Sequence, residues 1–145
     1  MQTEEALIQP PAQYPKSLVP SNYVVLLVGM VMFPFAIYGL FAAKGRRLSA
    51  TGWEKSHFEF LYRTSVVSTI GVIVGMLLAA IIMYHFSGNS ELDHAYIRIW
   101  FARLGQVYYL LGAWAVIRNI RGIYFAGGRR PIANPETYWV WPSHS

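Results

Sequence analysis

The chain has 145 residues, of which 12 are Lys or Arg and 7 are Asp or Glu, for a formal net charge of +5. Hydrophobic residues make up 54% and charged residues 13%, against roughly 45–50% and about 25% in soluble domains, which argues against a water-soluble globule. The 16% aromatic content and mean hydropathy of +0.32 exclude a disordered chain. The absence of cysteine excludes disulfide frameworks, thiolate metal sites, iron–sulfur clusters and cysteine nucleophiles.

Residues 1–22 form a tail with Pro10, Pro11, Pro15 and Pro20, expected to run extended over the outer surface. Glu4 and Glu5 stand where a signal peptide carries basic residues, so no cleavable signal is expected. Tyr23 to Ala43 holds 21 residues without a charge, enough for one crossing of a bilayer, which takes about 20. Pro34 near its middle removes a helical hydrogen bond and predicts a kink. Met30, Met32, Phe33, Phe35 and Phe41 around it suit lipid or packing contacts.

The following loop opens on Thr51-Gly52-Trp53-Glu54, which fits a capping box. Trp53, Phe58, Phe60 and Leu61 are apolar there, and Glu54, Lys55 and Glu59 are charged. The pattern predicts a short amphipathic helix over about 51–62, lying on the membrane surface and entering the next span. Ser56, His57, Arg63 and Thr64 are expected near the lipid headgroups, in phosphate contact and hydrogen bonding rather than catalysis.

A second span is predicted over 64–86, interrupted only by Tyr84 and His85 near one end. Gly71, Gly75 and Ala79 are spaced four apart and so share one face, a groove for close helix packing. Such a groove serves a partner subunit or the other helices of the same chain. Leu104 to Ile117 is apolar but too short to cross alone; extension back to Tyr96 gives a third span over 96–117 that includes Arg98 and Arg103. Arg103 and Gln106 share a side of that helix and are the polar intramembrane candidates. Their structural reading is a clip between helices.

Beyond the third span, Gly127-Gly128-Arg129-Arg130-Pro131 ends the helix. Tyr138, Trp139 and Trp141 then favour an interfacial tail over 127–145 that folds back onto the inner leaflet or caps the bundle. The fold class is therefore an all-α membrane protein: three transmembrane helices within a membrane domain over 23–126, plus a short amphipathic interfacial helix.

Orientation follows the basic residues. Lys44, Arg46, Arg47, Lys55 and Arg63 separate the first two spans, and Arg118, Arg121, Arg129 and Arg130 follow the third, nine of the 12 in all. The stretch from Ser87 to Tyr96 carries Glu91 and Asp93 instead. The N-terminus is expected outside and the C-terminus in the cytoplasm.

Of the histidines, His57 and His144 are placed inside, and His85 and His94 outside near Asp93. No pair has the spacing of a haem cage, and no metal or cofactor is expected. Phosphate-binding loops, dinucleotide fingerprints and nucleophile elbows are absent. The expected contacts are the bilayer, anionic lipids at the inner face and other membrane subunits. Arginines that flank spans do not argue for nucleic acid.

Two separated motifs carry a resemblance. Trp53-Glu54-Lys55-Ser56-His57-Phe58 with Arg63-Thr64 resembles a W-x-x-S-H-F…R-T signature. Ile117-Arg118-Asn119-Ile120-Arg121-Gly122, then Gly128-Arg129-Arg130-Pro131 and Asn134-Pro135, resembles an R-x-x-R-G…G-x-x-P…N-P ending. Both occur in small bacterial inner-membrane proteins of the Tic20-like family. The likeness runs from about Val24 to Trp141; Leu61 stands where that family often has Gln. The resemblance implies a helical inner-membrane protein with Trp53, Ser56, His57, Arg63, Thr64, Arg118, Arg121, Gly122, Pro131, Asn134 and Pro135 on the cytoplasmic face. The expected function is a non-catalytic accessory or assembly subunit of a larger membrane complex. The alternatives are a homo-oligomeric channel or translocation component lined by Pro34, Arg103 and Gln106, and a haem- or quinone-binding redox subunit.

Overall fold

The computed structural model describes residues 17–31, 33–88 and 90–140, and their side chains outside 30–36. Most of the described residues are helical, and the described residues contain no strand. The helices are α1 (Val19–Val31), α2 (Phe33–Ser49), α3 (Gly52–His85) and α4 (Glu91–Gly127). The expected positions of Pro10, Pro11, Pro15, Trp141 and His144 lie outside the described residues, as do the side chains of Met30, Phe33, Pro34 and Phe35.

The single span expected from Tyr23 to Ala43 is instead two helices, α1 and α2, packed side by side. Helix α1 ends at Val31 and α2 starts at Phe33, which puts Pro34 in a first turn, where a missing N–H costs no hydrogen bond. Leu26 of α1 comes within 3.3 Å of the position a Cβ would take on Gly39 of α2. Arg46 Nη1 donates to Asn22 Oδ1. In one continuous helix residues 22 and 46 would lie about 36 Å apart. The pair therefore forms a hairpin that returns to the end where it began.

Helix α3 merges the expected amphipathic helix and the second span into one rod about 50 Å long. The amphipathic segment does not lie on a surface: His57, Phe58, Phe60, Leu61, Thr64 and Ser65 are buried within the bundle. Thr51 is the N-cap as expected, but its side chain makes no capping bond. Gly52 opens the helix at φ +58°, a conformation side-chain-bearing residues rarely adopt. Helix α3 alone among the described helices is long and apolar enough to cross a membrane. Helix α4 extends well past 96–117 at both ends. It is long enough, but its polar content leaves it less apolar than α3. Its N-cap Ser90 accepts from the Asp93 N–H at 3.1 Å. The turn between α3 and α4 is short, so the two run antiparallel, and Phe86 stacks on Tyr96 beside it (5.3 Å between rings).

The apolar core of Val19, Tyr23, Leu26, Ala43, Phe58, Phe60, Leu61, Ala126 and Ile132 lies where α1 and α2 meet the first half of α3 and the last third of α4. This is the base of the molecule. Leu61 is fully buried in it. The other halves of α3 and α4 project as a two-helix arm. The described start of the chain and its C-terminal segment both lie at the base. Residue 17 and the tail thus do not lie at opposite ends of the molecule, because the α1–α2 hairpin reverses the chain.

Candidate functional site

At the base a polar cluster is sealed beneath residues 128–140. Helices α1, α3 and α4 each contribute to it, and His57, Arg118, Asn119, Thr64, Ser65 and Asn22 are all buried. Buried polar groups are stable only when hydrogen-bonded, and most of these are.

His57 Nε2 lies 2.9 Å from the Arg130 carbonyl oxygen, and Nδ1 lies 2.9 Å from the Tyr23 hydroxyl. A carbonyl only accepts, so Nε2 carries the proton, and Nδ1 accepts from Tyr23. The ring also meets Tyr23 and Trp53 edge-on at 5.9 and 5.4 Å. Burial lowers its pKa, against weaker upward pulls from the Arg130 carbonyl and the Glu54 carboxylate. Both nitrogens are thus committed to protein groups. Tyr23 fits because residue 122 is Gly: a Cβ there would lie 2.2 Å from its ring.

Arg118 is fully buried, and no carboxylate lies within ion-pair distance of it among the described residues. Its Nε donates to Thr64 Oγ1 at 3.0 Å, and Nη1 donates to the carbonyls of Thr137 and Trp139, each at 2.8 Å. The guanidinium lies over the rings of Phe60 (3.9 Å) and Trp114 (5.1 Å). Arg121 Nη1 donates to the Val140 carbonyl. Ser56 Oγ accepts from the Ile132 N–H at 3.0 Å, and Trp114 Nε1 donates to the Tyr138 carbonyl at 3.0 Å. Side chains from α3 and α4 therefore hold the last described residues by their backbone, without regard to side-chain identity.

The motif residues named from sequence converge here. Trp53, Ser56, His57, Thr64, Arg118, Arg121 and Gly122 surround the tail. Arg63 sits at the rim, paired with Glu59 (3.1 Å) and Glu136 (3.5 Å). Pro131 and Asn134 are exposed and Pro135 is half-buried in the turn that returns the tail, where Asn134 accepts from the Thr137 N–H at 3.3 Å. The expectation of phosphate contact at Ser56, His57 and Thr64 is corrected, since all three point into protein.

The other candidates stand apart. Arg103 Nη1 donates to Gln106 Oε1 at 3.3 Å, and both residues are exposed on the arm. The clip is thus within α4, not between helices. Gly71 packs inside the chain, with Leu111 2.3 Å from its would-be Cβ, whereas Gly75 faces open space. Ala79 lines the same groove as Gly75. His85 and His94 are exposed, and among the described residues no group of three or more side chains is placed to hold a metal.

Sequence reasoning missed Tyr23, Asn22 and Asn119. Tyr23 looked like the first residue of a span. Asn119 lay inside a quoted motif, and its signal was available: Ala115, Asn119, Gly122 and Ala126 recur at helical spacing and form one small, polar stripe. No family model matches the sequence, and neither the curated proteins nor the solved structures give a match.

Proposed function

We propose that this protein is a non-catalytic integral membrane protein that serves as an accessory or assembly subunit of a larger membrane complex. The α3–α4 arm is its membrane part. The observation that carries this reading is the bare apolar surface of the arm. Ile70, Ile73, Leu77 and Ile81 on α3, and Ile99, Phe101, Val107 and Leu110 on α4, are all exposed. Soluble monomers rarely leave contiguous apolar surface of this kind in water; lipid or a partner helix covers it at no such cost.

The polar cluster supports the same reading. His57, Arg118 and Ser56 bond the backbone of the tail, and Thr64 orients Arg118, so the base works as a rigid platform. Lys44, Arg46, Arg47, Lys55, Arg63, Arg118, Arg121, Arg129 and Arg130 gather at the base, and Glu91 and Asp93 lie near the opposite turn. The positive-inside rule then sets the base in the cytoplasm, with anionic lipid at its edge. The arm crosses the membrane as two helices, and both described ends of the chain lie inside. A three-span arrangement would need the α1–α2 hairpin to open. The Tic20-like resemblance adds a bacterial inner membrane as the location.

Purification in mild detergent at native expression level tests the proposal. The expected result is a chain that stays with the membrane through alkaline washing and elutes with defined partner subunits. A chain washed free by carbonate, or one that elutes alone at every expression level, overturns it.

A further inference from the structure

Asn119 is fully buried on α4, yet neither its amide nitrogen nor its amide oxygen has a hydrogen-bond partner. Leaving both unpaired in a closed site is costly. The amide lines a cavity of about 50 Å³ together with Thr64, Ser65 and Ser68 of α3. The Thr64 and Ser65 hydroxyls donate to the Phe60 and Leu61 carbonyls, at 2.8 and 2.9 Å, so toward the cavity they offer acceptor oxygen only. No charged side chain lines it. The space suits only a few water-sized groups, each needing about 10–15 Å³.

The cavity adjoins a second, larger space. Val72, Tyr108 and Leu111 wall both it and a larger apolar groove, about 660 Å³, between the outer halves of α3 and α4. Gly75 and Gly105 keep this groove open, with nothing within 4 Å of their would-be Cβ positions. From Ser65 to Ala79 the path runs about 21 Å along α3, longer than the roughly 15 Å hydrocarbon depth of one leaflet. A small polar chamber at the basic end of the molecule thus borders an apolar groove about one acyl chain long.

We propose that this cavity and groove bind an uncharged lipid of the diacylglycerol class. Its hydroxyl or ester carbonyl bonds the Asn119 amide, and an acyl chain lies along Gly75 and Gly105. The amide presents a donor and an acceptor together, which complements a hydroxyl beside an ester. A phosphate or carboxylate head would lose its water in a chamber whose lining holds no cation to pair with. The inference rests on the reading that the arm lies in the bilayer, which brings the chamber to headgroup level.

The test uses the full chain in phospholipid nanodiscs carrying either a photoactivatable diacylglycerol or the matching photoactivatable phosphatidylglycerol, with cross-links mapped by mass spectrometry. The expected result is diacylglycerol labelling on the groove-lining peptides of α3 and α4, at least tenfold above the phospholipid. Asn119→Leu should lower it about tenfold, and Gly75→Leu, whose side chain enters open groove, should abolish it without changing the circular dichroism. Equal labelling by the two probes, labelling spread over outward faces, or labelling unchanged in both variants overturns the proposal and leaves the chamber to water. A chain that never enters the discs removes the membrane reading and this proposal together. A chain that enters and labels indiscriminately removes the proposal alone.

Discussion

Between His57 and Ser65, helix α3 buries a histidine, a threonine and a serine among phenylalanines, whereas from Ile70 to Tyr84 the same helix buries no residue at all. Helix α4 shows the converse along its length: exposed Ile99, Val107 and Leu110 come first, and buried Arg118, Asn119 and Gly122 follow. The base hides polar groups and the arm displays apolar ones. Each end matches a different surrounding. At the base most of the buried polar groups bond within the chain; along the arm the side chains ask only for contact with something equally apolar. The order fits the proposed reading, in which the arm meets hydrocarbon and the base carries the specific contacts.

Substitutions should therefore act very differently at the two ends. The largest loss is expected for Arg118→Met, which removes three hydrogen bonds from a charged donor and frees the tail. Charge-assisted bonds contribute about 1.5–3 kcal/mol each, so a loss of at least ~3 kcal/mol is expected, read as a lower thermal midpoint in detergent and rapid proteolysis between residues 130 and 140. An unchanged midpoint would show that the base is not held by this clamp. Gly122→Ala should follow, at about 1–3 kcal/mol, because its methyl group meets the Tyr23 ring. The matched change in the arm, Gly75→Ala, meets open space and should leave the midpoint alone.

A smaller effect is expected from pH. His57 is held neutral by burial, below its ordinary value of 6.5. In the unfolded chain the imidazole takes up a proton as pH falls through about 6.5, and in the folded chain it resists. Its contribution to stability is therefore whole above that pH and declines below it. The melting midpoint should fall between pH 7.5 and 5.5, and His57→Gln should flatten that fall; equal slopes in both proteins would deny His57 this role. The smallest change belongs to the arm: Arg103→Gln breaks only an exposed bond within one helix and should shift the midpoint by less than about 0.5 kcal/mol equivalent.

Much of the base was legible as a list and not as a place. The two motifs named Ser56, His57, Thr64, Arg118 and Gly122, yet the positions of Ser56, His57 and Thr64 in sequence suggested headgroup contacts. Nothing local says that Arg118 will turn toward the carbonyls of Thr137 and Trp139, since those bonds join residues 19 and 21 positions apart through a reversed tail. Tyr23 was legible only as an aromatic residue at a span's edge. Its role depends on a hairpin between α1 and α2 and on a glycine nearly a hundred residues away. The four-residue spacing of Gly71 and Gly75 pointed to close packing, but only the α3–α4 pairing distinguishes the glycine against Leu111 from the one left open.

Composition and periodicity determined what each segment is: helical between the two tails, apolar along 64–86, broken after Gly127, and basic at one end. These are sums over neighbouring residues, and neighbours carry that information. Tertiary structure alone decided where the segments go. The return of 23–43 as a hairpin, the burial of a cation without a carboxylate, and the chamber beside Asn119 each depend on contacts between distant parts of the chain. Such contacts balance desolvation against hydrogen bonds that no local window contains.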